Sequence, residues 1–143
     1  MSALPFQKFE DRHFGKHPVL FADYVSQPEL LTVYIPNTDS TGRLVNTSYW
    51  IAATAQFLAH KFGGSTVHAA DRGYFRNPHT DELIEEVTHR ISVLVEPDDL
   101  CAHATAIEMH VRRFGRETNQ CEVLLQLGGQ VLRYTNFQST VSH

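Results

Sequence analysis

VTHRISVLVEPDDLCAHATAIEMHVRRFGRETNQCEVLLQL, residues 87–127, spells a strand, a helix and a second strand in unbroken succession. Val87, His89, Ile91, Val93 and Val95 occupy every second position, the period of a strand with one covered face. Glu96, Asp98 and Asp99 then crowd a helix start, where negative charge meets the positive end of the backbone dipole, and Pro97 suits the first turn. Leu100, Ala104, Ile107, Val111 and Phe114 recur at spacings of four and three, which draws one apolar stripe down that helix. Arg112, Arg113 and Arg116 meet its negative pole, and Gly115 is expected to stop it. Cys121 to Leu127 alternates as a strand, and Gly128-Gly129 turns it into a closing strand over Val131 to Phe137.

Upstream, the pattern repeats with a hairpin added. Leu31, Val33 and Ile35 alternate with Thr32 and Tyr34 in a strand from Leu30 to Ile35, ended by Pro36. The turn formers from Asn37 to Gly42 make a loop. Asn46, Thr47 and Ser48 are candidate caps for a helix to Phe62, with Trp50, Ala53, Phe57, Leu58 and Phe62 on its apolar side. Gly63 stands where a helix commonly ends in a left-handed residue. Ser65 to Phe75 reads as one strand, which turns through Arg76 to Thr80 and returns in the long strand ending at Val95.

Strand, helix, hairpin, helix, strand is the ferredoxin-like order βαββαβ, an open-faced antiparallel α+β sheet, here with one added C-terminal strand. The domain is expected over residues 30–137, between an aromatic-rich N-terminal arm at 1–29 and a tail at 138–143. The arm, with Phe6, Phe9, Phe14, Phe21 and Tyr24, is expected to pack on the domain or on a second subunit. An apolar fraction of 42% and a charged fraction of 20% belong to a globular chain, and 143 residues bury enough surface to need no disulfide or metal. Cys101 and Cys121 have no CxxC or Cys/His context, so both are expected as free thiols in a reducing, cytoplasmic setting. The start lacks the charged and apolar regions of a signal peptide, and no run is long enough for a transmembrane helix. A net charge of −4 argues against nucleic acid as a partner.

With the valines and isoleucines turned toward the helices, alternation places Tyr34, Thr66, His68, Arg72, Tyr74, Glu86, Thr88, Arg90, Glu122, Leu124 and Gln126 on the open face. Tyrosine, histidine and arginine are the types that recognise anionic or aromatic groups and stock interface centres. The candidate ligand-binding set is therefore Tyr34, His68, Arg72, Tyr74, Thr88, Arg90 and Glu122. His68 is the candidate general base if the chain is an enzyme, with Arg72 and Arg90 holding an anionic substrate. A pair between His68 and Asp71 requires a bulge, because residues three apart on a regular strand face opposite ways.

Other motifs read as structure. The glycines at 63 and 64 follow a helix instead of preceding one, the wrong polarity for a phosphate loop. His103-Ala104-Thr105 lies mid-helix, and His103 and His110 are separated by Ile107, so both histidines read as core-edge residues. His89 reads as a buried histidine with one partner. No metal site, cofactor loop or cysteine nucleophile setting is present in the sequence.

Phe62-Gly63-Gly64-Ser65-Thr66, Gly73-Tyr74, Glu85-Glu86-Val87 and Phe114-Gly115-Arg116-Glu117 together resemble an uncharacterised group of small bacterial ferredoxin-like proteins over about residues 47–126. The resemblance implies the same fold and carries no activity across. The sequence thus leads to a module that binds a small anionic or nucleotide-like ligand, or a partner, on the open face, as a homo-oligomer without a cofactor. The alternative is a small cofactor-independent enzyme built on His68.

Overall fold

The computed structural model describes residues 27–137, so the aromatic arm and the tail lie outside the described residues. The elements are β1 Glu29–Pro36, α1 Thr47–Phe62, β2 Thr66–Val67, β3 Asp71–Arg76, β4 Leu83–Val95, α2 Pro97–Glu117, β5 Val123–Leu127 and β6 Gln130–Tyr134. The strand order is β2-β4-β1-β5-β6, with β3 paired to the other half of the β2 edge of β4 and every pairing antiparallel. This is the ferredoxin-like sheet, with β6 added beyond β5.

One face is covered by both helices. Leu31, Val33 and Ile35 of β1, Ile91, Val93 and Val95 of β4, and Val123 and Leu125 of β5 form a core with Trp50, Leu58, Ile107, Val111 and Phe114. Burying side chains of this size removes about 1.5–3 kcal/mol of unfavourable hydration each, the main force holding the helices down. Asn46 caps α1 by accepting from the Tyr49 N–H, and Gly63 closes it at φ +94° with its N–H donating to the Ala59 carbonyl. The helices are also joined by a polar contact: the Thr54 hydroxyl lies 2.8 Å from His110 Nε2, and the His110 ring stacks on Phe57 at 4.8 Å. His103 meets the Phe62 ring edge-on, so both helix histidines are core-edge residues. Ala104, expected in the apolar stripe of α2, is exposed. His89 Nδ1 is buried without a hydrogen-bond partner among the described residues, where the sequence led us to expect one.

Gly115 does not end α2, which continues to Glu117. Its missing side chain is instead occupied: a methyl group there would overlap the ring of Phe137, which packs against the helix from beyond β6. The stop comes at Thr118, whose N–H and hydroxyl both bond back to the Phe114 carbonyl.

The strand expected from Ser65 to Phe75 is broken in two. Thr66 pairs with Ser92 and Val67 with Ile91, whereas Asp71 pairs with Thr88 and Arg72 with Val87. The partner numbers add to 158 before the break and 159 after it, so one extra residue has entered this strand. Ala69 and Ala70 stand opposite His89 between the His68–Arg90 and Asp71–Thr88 pairs, which is a β-bulge. Every side chain beyond it changes face.

Candidate functional site

The bulge decides what the open face presents. Asp71 and Phe75 turn onto it, while Arg72 and Tyr74 turn to the opposite face. There Tyr74 donates a hydrogen bond of 3.0 Å to Glu85, and Arg72 lies 3.8 Å from the same carboxylate. Their placement on the open face is thereby corrected. Both belong to an exposed edge cluster in which the Glu85 carboxylate pushes the Tyr74 phenol up.

Of the remaining expected residues, all but Arg90 divide between two depressions. Tyr34, Thr88 and Glu122 line a cavity of about 230 Å³ together with Phe75, Glu86 and Asp71. Pro36, the end of β1, lines the cavity together with Gln120 to Leu124, and beside it the chain after Pro36 folds back along the sheet. Asn37 extends the β4 ladder, its N–H donating to the Val87 carbonyl and its side-chain oxygen accepting from the Val87 N–H. The Asn77 amide bonds the Ser40 carbonyl and Gly42 lies against Ile84, so Ile84 is buried although it falls on the open face. Gln120 bonds the Thr38 carbonyl from the other side. This wall places the Thr38 hydroxyl 3.4 Å from Glu86.

The charges around this cavity are mostly matched. Arg90 holds Asp71 at 3.1 Å, and Arg133 lies 3.6 Å from Glu122. Glu86 forms no ion pair among the described residues. Burial pushes its carboxyl up from the usual value, the Thr38 hydroxyl pulls it down, and the Glu122 charge pushes it up again. The aromatic part of the lining is Tyr34, whose hydroxyl donates to Gln126 at 2.8 Å, and Phe75. The cavity therefore offers an aromatic surface and one carboxylate that lacks a cation, a setting for a flat, positively charged guest.

His68 lies in the second depression, beside the helix-ending glycines, with Ser92, Leu30 and Leu94. Its Nε2 is 2.9 Å from the Ser92 hydroxyl, which is 3.0 Å from the Thr32 hydroxyl. The bulge does bring His68 and Asp71 to one face, but Asp71 is engaged by Arg90. Arg90 sits on β4 between the two depressions. Of the cavity residues, Glu86 lay on the face expected from alternation without being singled out, and Asp71 and Phe75 were missed. Both turn on the extra residue at Ala69-Ala70, which the alternation of the sequence does not reveal.

No protein-family model matches the chain, and neither does any curated protein. Two solved structures share its fold. Phage SAM lyase in complex with S-methyl-5'-thioadenosine aligns with a TM-score of 0.60 at 10% identity, over 78% of this chain and 92% of that one. Phage SAM lyase in the apo state aligns with a TM-score of 0.57 at 12% identity, over 80% of this chain and 94% of that one. At these identities the likeness is one of fold. Among the described residues no helix is long and apolar enough to cross a membrane, and no group of histidine, cysteine and carboxylate side chains could hold a metal.

Proposed function

We propose that this chain binds a small nucleoside of the thioadenosine class in the open-face cavity, and that the cavity favours its positively charged sulfonium parent, S-adenosylmethionine. The observation that carries this reading is Glu86, a partly buried carboxylate without an ion-pair partner among the described residues, in a pocket walled by Tyr34 and Phe75. A cation placed there would restore the charge balance that burial and Glu122 disturb. The ligand class is supported by the shared fold, since one of the two phage lyase structures holds S-methyl-5'-thioadenosine.

The anionic guest expected from two arginines fits this surface less well. Arg72 is on the other face and Arg90 is neutralised by Asp71. A cavity of about 230 Å³ encloses part of a nucleoside, and the rest would lie along the face toward Arg90.

The test is calorimetric titration with S-adenosylmethionine and with neutral S-methyl-5'-thioadenosine. Both should bind, the sulfonium more tightly, and Glu86→Gln should erase the preference. Failure to bind either ligand, or an unchanged preference in the variant, overturns the proposal. A second reading, cleavage of the bound sulfonium, rests on the same carboxylate. Breaking the carbon–sulfur bond to the amino-acid arm, with both electrons passing to sulfur while the ligand's own carboxylate oxygen bonds to the carbon released, gives a lactone and a neutral thioether that Glu86 no longer attracts. Appearance of S-methyl-5'-thioadenosine in a mass spectrum after incubation would support cleavage. Binding without turnover would leave a binding module.

A further inference from the structure

We infer that β6 is a pairing edge for a second copy of this chain, joined antiparallel to its own β6 about a two-fold axis through Leu132. The register of β5 and β6 runs from Leu127–Gln130 to Val123–Tyr134 across the two-residue loop Gly128-Gly129. In such a hairpin the residues flanking the loop exchange both main-chain hydrogen bonds. Alternation then turns the peptide groups of Gln130, Leu132 and Tyr134 toward β5, and those of Val131 and Arg133 away from it.

The neighbouring ladder gives the same phase independently. The Gly128 N–H donates to the Leu30 carbonyl at 2.9 Å, which directs Gly128 and Gln126 toward β1 and Leu125 and Leu127 toward β6. No strand lies beyond β6 among the described residues, so within them the outward groups of Val131 and Arg133 have no ladder partner.

The opposite edge of the sheet is protected against such pairing. The bulge at Ala69-Ala70 interrupts it, and Arg72 and Arg76 stand along it in ion pairs with Glu85 and Asp81. Bulges and charges are the usual guards of an exposed edge. The β6 edge has neither an interruption nor an unmatched charge. Its one ionic side chain, Arg133, is 3.6 Å from Glu122 of the same chain. Val131 is 62% exposed and Leu132 37% exposed, so apolar area remains to be covered.

A second copy fits this edge because the edge is its own complement. With Leu132 on the axis, Val131 faces Arg133 of the second copy and Arg133 faces its Val131, which closes four main-chain hydrogen bonds. Gln130 then meets Tyr134, and the two Leu132 side chains touch. Paired residues of antiparallel strands share a face, so the two open faces become one continuous surface with both cavities on the same side. Five residues of edge bury less than the roughly 1,200 Å² of a standard interface, which makes this a weak, concentration-dependent dimer.

The test is a self-crosslink. In this pairing Leu132 and its symmetry mate form a non-hydrogen-bonded pair with Cα atoms about 4.5 Å apart, within disulfide range. Leu132→Cys, placed in a Cys101→Ser, Cys121→Ser background, should oxidise to a covalent dimer, whereas Val131→Cys should not. Light scattering of the wild type from low micromolar to near-millimolar concentration should show monomer passing to dimer. Val131→Pro should hold it monomeric with an unchanged circular dichroism spectrum, because only an outward N–H is lost. A folded Leu132→Cys protein that stays monomeric on oxidation overturns the inference. So does a dimer that persists in Val131→Pro.

Discussion

The Asp71 carboxylate lies 3.1 Å from Arg90 Nε, and the two meet because one extra residue between His68 and Asp71 has shifted the register of the edge strand. Without that residue Asp71 would turn toward the helix side and Arg90 would be left free on the open face. The bulge thus sets both the shape and the charge of the cavity.

Deleting Ala70 should therefore restore regular pairing and exchange the faces of residues 71–76. Arg72 and Tyr74 would come to the open face, and Phe75 would leave the cavity. The sheet should survive, as seen by circular dichroism, while nucleoside affinity disappears. A deletion variant that binds as well as the wild type would show that the bulge has no part in the site.

Glu86 carries a stability cost together with its attraction for cations. Its native carboxyl is raised above the usual 4.5 by burial and by Glu122, against the pull of Thr38, so the folded chain takes up a proton at a pH where the unfolded chain does not. Stability from this group accordingly falls as pH rises through that window. At neutral pH Glu86→Gln should melt at a higher temperature than the wild type while losing roughly 10–100-fold in sulfonium affinity, the value of one charge-assisted contact. Affinity of the wild type for the sulfonium should weaken on acidification as Glu86 protonates, and affinity for the neutral thioether should not. Equal pH profiles for the two ligands would count against the role of Glu86.

His110 works in the other direction. Burial, and then the charge of Arg113, lowers its pKa below 6.5. As pH falls through 6.5 the unfolded chain gains a proton that the folded chain refuses, so stability declines toward the lowered native value. Urea denaturation of the wild type and of His110→Gln at about pH 7.5 and about pH 5.5 should show the smaller acid loss in the variant. Parallel losses would mean that the contact with Thr54 and Phe57 tolerates the charge.

Gly115→Ala should destabilise the fold by about 1–3 kcal/mol, despite the better helix propensity of alanine, because the new methyl collides with Phe137. Combining it with Phe137→Ala should cost less than the sum of the single changes, since the collision is then gone. Additive costs from chemical denaturation would place the strain elsewhere.

The order of elements was legible because β4, α2 and β5 each follow one period without interruption. The apolar stripes needed only alternation and helical spacing to be assigned to the covered face. Phase at the edge was not legible. Alanine has no turn preference and no charge, so Ala69-Ala70 gave no sign that the strand breaks, and Arg72 and Tyr74 were carried to the wrong side. Gly115 misled for a related reason: a glycine near a helix end reads as a stop, and only the packed ring of Phe137 shows that it accommodates a neighbour. Glu86 stood on the expected face, but a glutamate on a strand reads as solvated until the loop after Pro36 folds over it.

The carbonyl of Phe137 accepts from Arg116 at 3.0 Å and its ring is wedged against α2, so the described chain finishes on the helical layer. A purification handle or fluorophore attached downstream of it starts out from the back of the molecule.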